Sequence, residues 1–208
     1  MSLFITLEGP EGSGKSSAIK IVKEALENLG YQIVMTREPG GTPISEQIRN
    51  VILDKNNTAM DSRTEALLYA ASRRQHLVEK IWPSLKEGKI VFCDRYLDSS
   101  LSYQGYAREL GVDDVLHVNE YATEGTYPHI TFLFDIEPEL GLERINKNKD
   151  REVNRLDVEK LSFHKKVREG YLMLSKRFSD RYVVIDASKP LEEVSNEVLS
   201  IILNRLGK

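Results

Sequence analysis

Residues 9–16 read Gly9-Pro10-Glu11-Gly12-Ser13-Gly14-Lys15-Ser16, the pattern G-x-x-x-x-G-K-[ST]. An apolar run, residues 3–8, precedes it and reads as a strand. The stretch that follows, residues 15–29, repeats its apolar side chains at close to helical spacing and ends at Gly30. Strand, glycine loop and helix in that order demand a fold in which a helix starts at the carboxyl end of a strand. The glycines permit backbone angles that turn successive N–H groups inward, forming a nest for an anion. The helix beginning near Lys15 aims the positive end of its dipole at the same place. Lys15 offers a full charge to β- and γ-phosphates, and the Ser16 hydroxyl can ligate Mg²⁺. The run implies a nucleoside triphosphate site extending from Gly9 to Ser17. It does not separate switches, motors and transferases.

The rest of the chain alternates in the same manner. Strands are predicted over residues 3–8, 31–36, 89–94, 130–135 and 182–186. They are short, rich in Ile, Val and Phe, and almost continuously apolar, as in a parallel sheet covered on both faces. Helices are predicted over 15–29, 44–53, 64–82 (with Pro83 just after it), 113–123, 138–146, 158–178 and 191–206. Such alternation predicts an α/β fold with right-handed crossovers, and a ligand at the carboxyl ends of the strands. No repeat or linker divides the 208 residues, so one domain, 1–208, is expected.

Composition narrows the partners. With 29 Lys+Arg against 32 Asp+Glu the net charge is -3, which excludes binding of nucleic acid by charge alone but leaves room for a local basic pocket. The one cysteine, Cys93, excludes an internal disulfide and a cysteine zinc cluster. It lies in the apolar run Ile90-Val91-Phe92-Cys93 and is expected to be buried as a small hydrophobe. Glu8 interrupts the first apolar run too early for a signal peptide, and nothing approaches the ~20 apolar residues of a membrane span. A cytoplasmic protein without a membrane partner is expected.

Residues that follow the strands carry the candidate chemistry. Asp94-Arg95-Tyr96 closes the third strand: Asp94 could hold the magnesium ion or its waters, and Arg95 could grip a second phosphate bidentately. Asp135 also ends a strand, with nothing beside it that suggests chemistry. Arg37-Glu38-Pro39-Gly40-Gly41-Thr42-Pro43 forms a stiff loop after the second strand, and Arg49 flanks the Ile44/Ile48/Val51/Ile52 face of the next helix as a solvated charge or a phosphate ligand. Tyr69 and Arg73, four apart on the long helix, share a face. They could stack on and hydrogen-bond a base, or be an aromatic core position with an arginine at its edge. Gln104, within Ser99–Tyr106, offers the donor and acceptor that suit a pyrimidine edge. Between Arg144 and Asp157 lie Lys147, Lys149, Arg151 and Arg155 with few apolar residues, which reads as a cationic lid over about 144–157.

Together, Glu8–Ser17, Arg37-Glu38-Pro39-Gly40-Gly41, Asp94-Arg95-Tyr96, Ser99-Ser100 with Tyr103-Gln104-Gly105, and Asn154-Arg155-Leu156-Asp157 resemble bacterial thymidylate kinases, in order and over nearly the whole chain. The resemblance implies transfer of the γ-phosphoryl group of ATP to dTMP, Mg²⁺ dependence, a five-stranded parallel sheet of the nucleoside monophosphate kinase type, and commonly a homodimer. It implies that Arg95 and Arg49 hold the dTMP phosphate, with Glu38 near that phosphate and the magnesium ion. Tyr69 would stack on thymine, Arg73 would donate to a thymine carbonyl, and Gln104 would read the base edge. Ser100 would also belong to the dTMP site, and Tyr103 would crowd the place of a ribose 2′-hydroxyl. Arg144 would join the ATP site, and the turn Asp186-Ala187-Ser188-Lys189-Pro190 would lie along adenine. The phosphate loop has no arginine at Pro10, Glu11, Gly12 or Ser13, so the catalytic cation would come from the lid, with Arg151 and Arg155 the candidates. The rival readings are a deoxynucleoside kinase acting on thymidine and a P-loop ATPase without a small acceptor. Two acceptor-side arginines and the Tyr69/Arg73/Gln104 group argue against them.

Overall fold

The computed structural model describes residues 2–147 and 159–208. Five strands, β1 (Leu3–Glu8), β2 (Ile33–Arg37), β3 (Ile90–Asp94), β4 (Ile130–Asp135) and β5 (Tyr182–Asp186), form one parallel sheet in the order β2-β3-β1-β4-β5. Helices α1 (Lys15–Asn28), α2 (Pro43–Leu53), α3 (Ser62–His76), α4 (Trp82–Lys86), α5 (Leu97–Ser100), α6 (Val112–Thr123), α7 (Pro138–Lys147), α8 (Leu161–Arg177) and α9 (Leu191–Arg205) surround it. The five predicted strands are all present, β2 displaced toward its carboxyl end.

Side chains alternate across each strand, so the sheet feeds two cores. Leu3, Ile5 and Leu7 of β1 pack with Phe92 and Phe132 against Ile19, Val22 and Leu26 of α1 and Val198 and Ile202 of α9. Phe4, with Val91 and Leu133, faces the other way onto Tyr96, Leu101, Val167, Tyr171 and Leu174. Each fully buried Leu, Ile or Phe of these layers contributes roughly 1.5–3 kcal/mol. The same alternation sends Thr6 and Glu8 toward the second core, where an apolar side chain would be the default. Thr6 is satisfied there by Thr131 Oγ1 at 2.9 Å.

The helices depart from, or add to, the sequence reading in three places. The long helix does not stop before Pro83. After α3 the chain makes one π-helical turn, Leu77–Ile81, and continues through Pro83 as α4. Proline supplies no N–H, and the widened turn ahead of it lets the chain continue without that bond. Residues 97–107, which carry no helical pattern, form α5 and a second π-helical turn, Leu101–Ala107. Burial against α8 overrides their weak propensity. The Ile44/Ile48/Val51/Ile52 face of α2 is not a core face: Ile52 is fully buried, but Ile44 and Val51 are 48% and 47% exposed. Cys93 is buried as expected, and burial pushes its thiol well above the ordinary range.

Candidate active site

The sheet order sets β1 and β3 side by side, with Leu7 opposite Asp94. The glycine loop after β1 and the Asp94-Arg95-Tyr96 corner after β3 therefore open into one cavity of about 520 Å³, lined from Glu11 at one end to Gln104 at the other.

The loop is formed by close backbone approach. Gly12, at φ +72°, lies against α7, where a β-carbon would land on the carbonyl of Gly141; the converse substitution at Gly141 would meet the carbonyl of Glu11. Lys15 is buried, and its ammonium donates to Gly9 O and Pro10 O at 3.1 Å each and to Ser13 Oγ at 3.2 Å. Burial, and then the nearby Arg95 charge, push its pKa down from 10.5 to about 8. Ser16 Oγ donates to Asp94 Oδ2 at 3.4 Å. Two adjacent oxygen donors at the mouth of a phosphate nest fit a hard divalent cation such as Mg²⁺. Ser17 also lines the cavity, as does Arg144, which donates to Ala187 O of the turn after β5 at 3.0 Å.

Arg95 stands between the two ends. Its backbone is left-handed, φ +66°, and its N–H donates to Leu7 O at 2.9 Å. The guanidinium donates through Nη2 to Glu11 Oε1 at 2.6 Å, and through Nη1 to Tyr171 OH at 3.0 Å and Ser99 Oγ at 3.3 Å. It lies over the Tyr103 ring, 5.2 Å from its centroid, and the Tyr103 hydroxyl is 3.5 Å from Glu11. Burial first, then Glu11, Tyr103 and Tyr171, act on Arg95 with a net shift well upward, so it stays charged.

At the far end the α3 face carries Glu65, Tyr69, Arg73 and His76, all buried. Arg73, 1% exposed, donates from Nε to Glu38 Oε2 at 2.7 Å and from Nη1 to Ser100 Oγ at 3.2 Å and to Asn119 Oδ1. The second Glu38 oxygen meets His76 Nδ1 at 3.0 Å, and His76 Nε2 meets Thr36 Oγ1 at 2.6 Å. Gln104 donates to Glu65 Oε1 at 2.7 Å, which fixes its amide. Arg49 donates to Pro39 O at 3.0 Å. A cationic phosphate nest, a central arginine and a pocket of ring, guanidinium and amide thus share one opening.

A family model described as "Thymidylate kinase" matches residues 7–198. The chain belongs to the thymidylate kinase family. A thymidylate kinase of Geobacillus sp. (strain WCH70) is 56% identical over 203 residues, covering 98% of this chain and 97% of that protein. One of Clostridium novyi (strain NT) is 58% identical over 195 residues, 94% of this chain and 95% of the other. The crystal structure of thymidylate kinase from Ehrlichia chaffeensis superposes with TM-score 0.79 at 32% identity, over 97% of this chain and 98% of that one. Thymidylate kinases are ATP-dependent nucleoside monophosphate kinases, and membership at this identity supports phosphorylation of dTMP; a thymidine kinase is not favoured.

Of the residues that the thymidylate kinase resemblance singled out, Glu11–Ser17, Glu38, Arg49, Tyr69, Arg73, Asp94, Arg95, Tyr103, Gln104 and Arg144 line the cavity. Gly9 and Pro10 lie behind it as acceptors for Lys15, and Ser100 sits behind Arg73. Arg151, Arg155 and Lys149 lie outside the described residues. Asp135 is paired with Arg168 at 2.7 and 2.9 Å, tying β4 to α8. Sequence reasoning missed Glu8, Tyr171, Glu65, His76 and Asn119, which hold the site residues from behind. Only Glu8 carried a signal, as the one charged residue of its strand.

Proposed function

We propose that this chain, as one kinase domain spanning 1–208, transfers the γ-phosphoryl group of ATP to the phosphate of dTMP, giving ADP and dTDP. The observation that carries the reading is the single cavity joining Lys15 and its loop to Tyr69, Arg73 and Gln104, with Arg95 between. The Gly9–Ser17 loop holds the ATP phosphates, and Arg144 with the Ala187 turn borders the base. Arg49 and Arg95 hold the dTMP phosphate, with Glu38 beside it. Tyr69 stacks on thymine, Arg73 and Gln104 read its edge, Ser100 braces Arg73, and Tyr103 crowds the sugar. Ser16 and Asp94 hold Mg²⁺, which when bound supplies neutralising charge to the phosphates. Lys15 and Arg95, joined by Arg151 and Arg155 of a lid over about 144–157, neutralise the charge that develops on the transferred group. The protein's work is alignment and charge, with no covalent intermediate required.

The exposed Ile44 and Val51 of α2 and the 57% exposed Leu67 of neighbouring α3 support a homodimer through that face. No helix among the described residues is long and apolar enough to cross a membrane. An ATP requirement and a lone buried thiol suit the cytoplasm. ADP release measured with dTMP, thymidine and no acceptor tests the reaction. Release that depends on dTMP is expected. A preference for thymidine, or hydrolysis stimulated by nucleic acid without dTMP, would overturn it.

A further inference from the structure

Glu8 ends β1 and has no part in the roles assigned above. Its carboxylate is fully buried. It accepts from the Tyr96 backbone N–H at 2.7 Å, from Ser99 Oγ at 2.6 Å and from Tyr171 OH at 2.9 Å. The last two donors are the hydroxyls on which Arg95 Nη1 rests, at 3.3 and 3.0 Å. The chemistry of these groups fixes a direction. A hydroxyl has one proton and two lone pairs, whereas an ionised carboxylate can only accept. Ser99 Oγ and Tyr171 OH also lie 2.8 Å from each other, so their two protons serve three contacts. With Glu8 ionised, those protons are held within the Glu8–Ser99–Tyr171 group, and both hydroxyls turn lone pairs toward the guanidinium, which can only donate. The Tyr96 bond holds the left-handed Arg95 corner from the backbone side. Oppositely oriented hydroxyls would point protons at Arg95.

We propose that Glu8 is a positioning residue for Arg95, and that it sets the grip on the acceptor phosphate by orienting Ser99 and Tyr171. The proposal rests on the reading that Arg95 holds that phosphate. A structural role alone does not explain the choice of a carboxylate. Burial, with Asp98 adding to it, pushes Glu8 up to about 7, so the charged form that prevails above that pH is held at a cost to the fold.

The Glu8→Gln substitution keeps the size but sets an amide donor either against both hydroxyls, which share one carboxylate oxygen, or against the Tyr96 N–H on the other. Its kcat/KM for dTMP should fall at least ~10-fold while KM for ATP stays within ~3-fold. Its unfolding temperature at pH 8 should equal or exceed that of the unsubstituted protein. Tyr171→Phe, which keeps the ring and removes one hydroxyl, should weaken dTMP binding by a smaller factor. The decisive measurement is the dTMP dissociation constant, by calorimetry, for the full chain, Glu8→Gln, Arg95→Ala and the double variant. Positioning through Arg95 predicts that Glu8→Gln weakens dTMP strongly when Arg95 is present and by less than ~2-fold when it is absent. If Glu8→Gln fails to fold, Tyr171→Phe carries the same cycle. An equal loss in both backgrounds, or none in either, overturns the proposal while the role of Arg95 stands. Unchanged dTMP binding by Arg95→Ala overturns the reading of Arg95 and the proposal with it.

Discussion

Lys15 and Glu8 are two buried ionisable groups that bind their proton with altered strength, and both alterations can be read in solution. Burial and Arg95 depress Lys15 to about 8. At pH 9 much of it is neutral in the free protein, and a triphosphate favours the ammonium form. ATP binding at pH 9 should then take up about one proton, falling to almost none at pH 6.5. Calorimetry in buffers of different ionisation enthalpy measures this, and Lys15→Met should abolish it; persistent uptake in that variant would place the proton elsewhere. Glu8 moves the other way, from 4.5 to about 7, through burial and then Asp98, against the opposing hydrogen bonds of Ser99 and Tyr171 and the charge of Arg95. The folded state keeps a proton that the unfolded chain releases near pH 4.5. This group's contribution is therefore full below pH 4.5, is lost as pH rises to about 7, and is level above that, by about 3 kcal/mol in all. Denaturant titrations from pH 4.5 to 8 should show the slope in the unsubstituted chain and a flatter one in Glu8→Gln. The same slope in both would assign it to another group.

At the scale of elements, α3 stands out because one helix face presents Glu65, Tyr69 and Arg73 at four-residue spacing, with His76 a turn further on. Three other segments converge on Arg73 alone: Glu38 from the loop after β2, Ser100 from α5 and Asn119 from α6. Removing the guanidinium leaves the Glu38 carboxylate buried without its cation. Arg73→Ala should lower stability by about 3 kcal/mol and narrow the preference for dTMP over dCMP. The first is measured by chemical unfolding, the second by kcat/KM for the two acceptors. An unchanged ratio would remove Arg73 as the reader of the base, whatever the loss of stability. Such convergence explains why Asn119 and the pairings of Glu38 and Ser100 with Arg73 were not legible in the sequence. The pattern in residues 64–82 exposes the helix and the shared face of Tyr69 and Arg73. The partners come from positions 35, 27 and 46 residues away, which only the closed fold brings near.

At the scale of the whole molecule, the apolar face of α2 and α3 bears on assembly. If two chains meet there, Val51→Asp and Leu67→Asp should each shift sedimentation from two chains to one, with the fold intact by circular dichroism; a monomeric unsubstituted chain would dispose of the interface. The architecture itself was largely readable from sequence, because continuous apolar runs and helical spacing are local properties. The phosphate loop, the Asp94-Arg95 corner and the α3 pair were readable for the same reason. The π-helical turns, the outward face of α2 and the Glu8 network were not, since each depends on what packs against it. The loop's contact with α7 is of that second kind, and it bears on mutational tolerance. The loop and α7 meet backbone to backbone: a β-carbon on Gly12 would land on the Gly141 carbonyl, and one on Gly141 would land on the Glu11 carbonyl. Gly141 lies far outside the phosphate-loop pattern, yet a saturation screen should find it as intolerant as a loop glycine. Even alanine there would push Glu11, and the Arg95 ion pair with it, out of place.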